Sequence, residues 1–104
     1  MVQRIIWTTQ AKKIFHQILD FYNQINGSKT YSRKLNTEIK KNTLLLLQHP
    51  YLGRLTEIEY LRVIVLENHH IYYQINDKND EIEIILVWDC RQDPQKLLEF
   101  ISKE

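Results

Sequence analysis

The stretch Leu61-Arg-Val-Ile-Val-Leu66, Ile71-Tyr-Tyr-Gln-Ile75 and Glu81-Ile-Glu-Ile-Ile-Leu-Val-Trp88 decides the fold. All three runs alternate with period two, as successive side chains of a β-strand do. In the first run, Arg62, Ile64 and Leu66 alternate with Leu61, Val63 and Val65. Both faces are largely apolar, which predicts an interior strand covered on both sides. Glu67-Asn-His-His70 reads as a turn, and Asn76-Asp-Lys-Asn-Asp80 as a second, polar one. The reading is a three-stranded meander.

Upstream, Val2–Trp7 reads as a short β-branched and aromatic strand, followed by Thr8-Thr9, where a hydroxyl can cap a helix. Ala11, Ile14, Phe15, Ile18, Leu19, Tyr22 and Ile25 then recur in steps of three and four, one face of a helix. Gly27 is placed to stop that helix in the left-handed conformation, and Ser28 to cap the next. The second helix carries Tyr31, Leu35 and Ile39, then Leu44–Leu47, and ends before Pro50. So short a connection predicts an antiparallel helical hairpin. Asp93-Pro94 starts a terminal helix whose Leu97, Leu98 and Ile101 face the core. The expected fold is α+β, in the order β-α-α-β-β-β-α. The helices lie on one face of a small, mainly antiparallel sheet in a single domain, residues 1–104.

Composition narrows the class. Ile, Leu, Val and Phe make up 34 of 104 residues, too many for a disordered chain. The longest apolar runs, Leu44–Leu47 and Ile84–Trp88, fall far short of the roughly 20 residues that cross a bilayer. No signal-peptide core follows Met1, and a lone Cys90 cannot form an intrachain disulfide, which together predict a cytoplasmic protein. The net charge of +1 hides a division: residues 1–55 carry nine basic and two acidic side chains, residues 56–104 five basic and eleven acidic.

Local motifs within this order resemble the RelE/ParE superfamily of bacterial toxins. Gln48-His-Pro-Tyr-Leu-Gly-Arg54 is similar to the P-x-x-G-R junction after the family's second helix. Tyr60-Leu-Arg62-Val and Ile71-Tyr-Tyr-Gln-Ile75 resemble its L-R and I-x-Y-x-I strand pair, and Val87-Trp-Asp-Cys-Arg91 the basic residue after its last strand. The resemblance implies the toxin of a type II toxin–antitoxin system, of the kind tied to plasmid stabilization and growth inhibition. Its partner would be a cognate antitoxin, and no cofactor or metal is implied. RelE-like members are metal-independent, ribosome-dependent messenger RNA endoribonucleases. ParE-like members poison DNA gyrase instead.

If RelE-like, the catalytic set would be Arg62, His70 and Arg91, because a metal-free ribonuclease needs cations on the scissile phosphate and a proton carrier. The tyrosine acid that RelE-like members carry near the C-terminus has no counterpart in Leu97-Leu98-Glu99-Phe100. That absence, with a long hairpin from Thr9 to Gln48, favours the ParE-like reading. A non-toxic binding module on the same fold is the remaining alternative.

Each candidate also has a structural explanation. Arg62 would pair with Asp89 or Glu83 across the sheet, His69 and His70 would be surface side chains, and His16 and Asp20 a surface pair one helical turn apart. Cys90 has no identifiable base and is not expected to be a nucleophile. Turn chemistry accounts for Asp93 and Pro94 but leaves Arg91 over, making it the strongest single candidate. The acidic half suggests that basic residues of an antitoxin tail meet Glu57, Glu59, Glu81 or Glu83.

Overall fold

The structure, a computed structural model, describes residues 4–102, apart from the side chains of Leu98 and Ser102. The expected strand start at Val2 and the inward-facing Leu98 therefore lie outside the described residues. The elements run β1 (Arg4–Trp7), α1 (Thr9–Asn26), α2 (Thr30–Leu45), β2 (Arg54–Leu55), β3 (Arg62–Val65), β4 (His69–Asn76), β5 (Glu81–Asp89) and α3 (Pro94–Ser102). They form an α+β fold around one five-stranded sheet of order β1-β5-β4-β3-β2. Every pairing is antiparallel except β1 with β5, where Arg4 lies opposite Glu81 and Trp7 opposite Ile84.

Helix α1 starts as its sequence dictates. The Thr8 hydroxyl accepts from the Ala11 N–H at 3.1 Å, and Gly27 closes the helix at φ 64°. Ala11, Ile14, Phe15, Ile18 and Tyr22 are buried against the sheet. Ile25 is not, although it shares their periodicity; it is 58% exposed, because the last turn of α1 runs on to the lip of a groove. An Ile18→Ala chain should lose about 2–5 kcal/mol of stability in urea titration, the cost of a cavity at a buried aliphatic site. Unchanged stability would place the wrong face of α1 inward.

Helix α2 departs from expectation at both ends. Lys29, not Ser28, occupies the N-cap, with no side-chain cap bond. The nearby Ser32 hydroxyl instead bonds to the Asn23 side chain and the Lys29 carbonyl, tying α2 back onto α1. At the other end the helix stops at Leu45 and unwinds through tighter turns to His49. That unwinding drops Leu46 fully into the core while Leu44 and Leu45 stay exposed.

The sheet refines two expectations about burial. Strand β3 is interior as read, between β4 and β2, and Val63 and Ile64 are buried on its two faces, but its cover stops short of Val65, which is half exposed. The more fully covered strand is β5, where every residue but Glu83 is buried. The turn after β3 is also shorter than read: the Leu66 N–H donates to the His69 carbonyl at 2.9 Å, and both histidines belong to β4. His69 pairs with Asp89 and His70 with Trp88, so alternation sends them to opposite faces. The hairpin covers the His69–Asp89 face. Helix α3, opened by the Asp93 carboxylate accepting from the Gln95 N–H at 3.0 Å, brings Phe100 to within 6.0 Å of the Trp88 ring. Trp88 alternates away from Asp89, yet Phe100 also borders Asp89 and the Ile14 and Ile18 face of α1, so α3 packs at the end of β5 beside α1.

Candidate functional site

The end of β5 delivers Asp89 into the space beneath the hairpin, and three side chains close on it, with Tyr31 behind them. Tyr22 of α1 donates its hydroxyl proton to Asp89 Oδ2. The Arg91 backbone N–H and Nε both donate to Oδ1, at 2.9 and 3.2 Å. The Arg91 guanidinium lies 4.7 Å over the Tyr22 ring, and its Nη2 reaches the Tyr31 hydroxyl of α2 at 3.4 Å. Tyr22 and Tyr31 meet edge to face at 4.9 Å. His69 Nε2 stands 3.5 Å from Asp89 Oδ2 without hydrogen-bond geometry.

Electrostatics fixes the protonation states. Burial opposes ionisation of Asp89, but the bonds from Tyr22 and Arg91 outweigh it and hold the carboxyl below its ordinary range. Burial, then the bond to Asp89, push the Tyr22 phenol upward. Burial lowers His69 against the pull of Asp89, keeping the imidazole neutral. An ionised carboxylate, a protonated phenol and a neutral buried imidazole hold charge rather than move protons. The one outward-facing product is Arg91, whose half-exposed cation is fixed from behind by Asp89 and from one side by an aromatic ring.

Arg91 stands at the wall of a groove of about 660 Å³ between α1 and α3. Ile14, Ile18, Phe21, Ile25 and Phe100 supply its apolar lining, with Asp89 and Gln92 beside the arginine. Phe21 and Ile25 are more than half exposed there.

The other sequence candidates lie elsewhere. Arg62 pairs with neither Asp89 nor Glu83, because β3 is separated from β5 by β4. Its Nη1 donates to the Gly53 carbonyl at 2.7 Å and its guanidinium lies 4.8 Å over Tyr51. The same loop is pinned by Tyr73, whose hydroxyl donates to Pro50 O and accepts from Gly53 N, both at 2.8 Å. A Cβ at Gly53 would lie 2.6 Å from the Tyr73 ring, so the glycine of the junction motif is there for close approach. Arg62 is thus a latch on the β2 loop.

His70 contacts the Tyr72 hydroxyl at 3.4 Å on the opposite face, its pKa lowered by burial and then by Arg54. Its neighbour His69 is buried at 2% exposure, against the expectation of two surface histidines. Burial and then Asp89 raise the Cys90 thiol, which keeps it protonated and unreactive. Glu81 is engaged by Arg4 and is buried, so it cannot meet a partner as expected. The structure therefore brings Arg91 together with Tyr22, Tyr31, His69 and Asp89, and leaves Arg62 and His70 in separate surroundings. Tyr22 and Tyr31 were missed as site residues; the available signal was a hydroxyl on a core-facing helical stripe, which must find a polar partner.

Among the described residues, no group of three His, Cys, Asp or Glu side chains could hold a metal, and no helix is long and apolar enough to cross a membrane. A family model described as the ParE toxin of the type II toxin–antitoxin system parDE matches residues 5–94. Two solved structures of the E. coli toxin RelE share the fold. An arginine-substituted RelE in the free state aligns with TM-score 0.65 and 17% identity, over 99% of this chain and 98% of that one. Isolated RelE in its P21 crystal form aligns with TM-score 0.59 and 16% identity, over 95% of each chain. No curated protein sequence matches.

Proposed function

Because this chain belongs to the ParE toxin family of type II toxin–antitoxin systems, we propose that it poisons DNA gyrase and that a cognate antitoxin silences it. The observation that carries the choice of target is the scatter of the ribonuclease candidates. Arg62 faces the Gly53 loop, His70 the opposite side of the sheet, and Arg91 the groove between α1 and α3. A phosphoryl-transfer site needs its cations and proton carrier within reach of one phosphate. Helix α3, from Pro94 to Ser102, also contains no tyrosine or histidine to act as the acid.

The antitoxin fits the groove. Its exposed Phe21 and Ile25 call for an amphipathic segment with apolar side chains at helical spacing, and Arg91 for a carboxylate on that segment. Buried aromatic anchors would supply most of the affinity, with the charge setting orientation and association rate.

The test uses the purified chain with gyrase and supercoiled plasmid, in parallel with a ribosome-dependent messenger RNA cleavage assay. Accumulation of cleaved gyrase–DNA complexes with intact messenger RNA is the expected result. Ribosome-dependent cutting by the unmutated chain would overturn the gyrase reading in favour of a RelE-like nuclease.

A further inference from the structure

We propose that the solvent face of α2 binds the phosphate backbone of duplex DNA. At 100° per residue, Lys29, Arg33, Lys34, Lys40 and Lys41 fall within an arc of about 140°. The buried Ser32, Leu35, Ile39 and Thr43 occupy the opposite side of the helix. All five cations are exposed, and among the described residues none is in an ion pair. Lys40 lies 4.4 Å over the Trp7 ring, a contact that positions the ammonium without neutralising it. Across residues 9–45 the hairpin carries seven basic and two acidic side chains. Five of the nine basic side chains of residues 1–55 thus lie along one ridge.

The composition of this face selects its partner. A protein interface is depleted of lysine at its centre and anchored by aromatics, whereas this arc is lysine-rich and holds no aromatic, Leu44 being its exposed apolar side chain. The absence of exposed rings also argues against single strands, which are gripped by base stacking. Asn36 stands exposed beside the cations as a further donor to phosphate oxygens, whereas the Thr37 hydroxyl is already donated to the Arg33 carbonyl at 3.0 Å. The helix from Thr30 to Leu45 holds this row on one face. The wide major groove of B-form DNA admits such a ridge, while the deep, narrow groove of A-form RNA does not. The choice of DNA rests in addition on the gyrase reading, since gyrase holds duplex DNA at its site of action.

The experiment measures fluorescence anisotropy of a labelled 30-base-pair DNA duplex against the purified full chain at rising salt. Four neutralised phosphates should give a slope of about −4 in log affinity against log salt, on the order of 10²-fold between 50 and 200 mM. Replacing Arg33, Lys34, Lys40 and Lys41 together by Gln should flatten that slope toward zero, with thermal unfolding unchanged. A Lys78→Gln, Lys96→Gln control should leave it intact. A duplex RNA of equal length should bind at least roughly tenfold more weakly; tighter RNA binding would overturn the assignment to DNA. No binding at 50 mM salt, or an undiminished slope in the fourfold variant, would overturn the surface itself. So would loss of antitoxin affinity in that variant without any binding of DNA by the parent, which would make the face a protein interface. Gyrase trapping by a chain that binds no duplex refutes this surface alone. Duplex binding by a chain that traps no gyrase refutes the functional reading and leaves the surface standing.

Discussion

Replacing Asp89 by Ala should cost about 2–4 kcal/mol of folding stability, because charge-assisted hydrogen bonds contribute roughly 1.5–3 kcal/mol and the Tyr22 hydroxyl is left buried without its acceptor. Tyr22→Phe should cost less, since it removes the donor and leaves an ionised carboxylate still held by Arg91. The double variant should lie closer to Asp89→Ala than the sum of the two, and urea unfolding of all four chains reads the coupling. Acid should reveal the same network. The pKa of His69 is lowered in the folded chain, so the unfolded chain binds the extra proton first and stability falls as pH drops below the ordinary histidine value near 6.5. His70 is lowered as well and adds to this step. Asp89 is also lowered, so its contribution is present above the ordinary carboxyl value and lost as pH falls through the folded one. Two separate losses are expected on acidification, of which Asp89→Ala removes only the more acidic. A stability flat from pH 7 to 5 would show that the buried imidazole is already solvated.

Phe21→Asp should weaken antitoxin binding on the order of 10²-fold, as loss of an anchoring aromatic from the centre of an interface does. The same change should alter stability by no more than about 0.5 kcal/mol, because Phe21 is 54% exposed in the isolated chain and little packing is lost. Titration calorimetry against the purified antitoxin separates the two quantities. A complex as tight as that of the parent chain would move the antitoxin off the groove between α1 and α3.

What could be read from the residues was whatever repeats locally. Strands β4 and β5 announce themselves by alternation, and α1 by a stripe flanked by Thr8 and Gly27. Strand β2 has only two residues, and its existence depends on Arg62 and Tyr73 holding the Gly53 loop from elsewhere in the chain. No periodicity can exist in two residues. The site divides in the same way. Arg91 stood out because turn chemistry did not use it. Tyr22 was hidden because its ring obeys the core spacing of α1 and its hydroxyl finds a partner 67 residues away. The wrong partner for Arg62 has the same origin, since strand order decides which carboxylates are in reach and local pattern does not encode strand order.

The parallel pairing of β1 with β5 imposes an order of assembly. Strands β4 and β5 close across a four-residue turn, whereas Arg4 and Glu81 are 77 residues apart. Closing the longer loop costs roughly 2.6 kcal/mol more in chain entropy, so local hairpins form first and the N-terminal strand docks last. Substitutions at Ile5 and Ile6 should then speed unfolding and leave the folding rate nearly untouched, and a matching drop in folding rate would place β1 in the nucleus instead. Until that strand arrives, the Glu81–Ile84 half of β5 carries one side with its backbone groups unpaired. Such an edge recruits any other strand within reach, so the refolding yield falls as protein concentration rises.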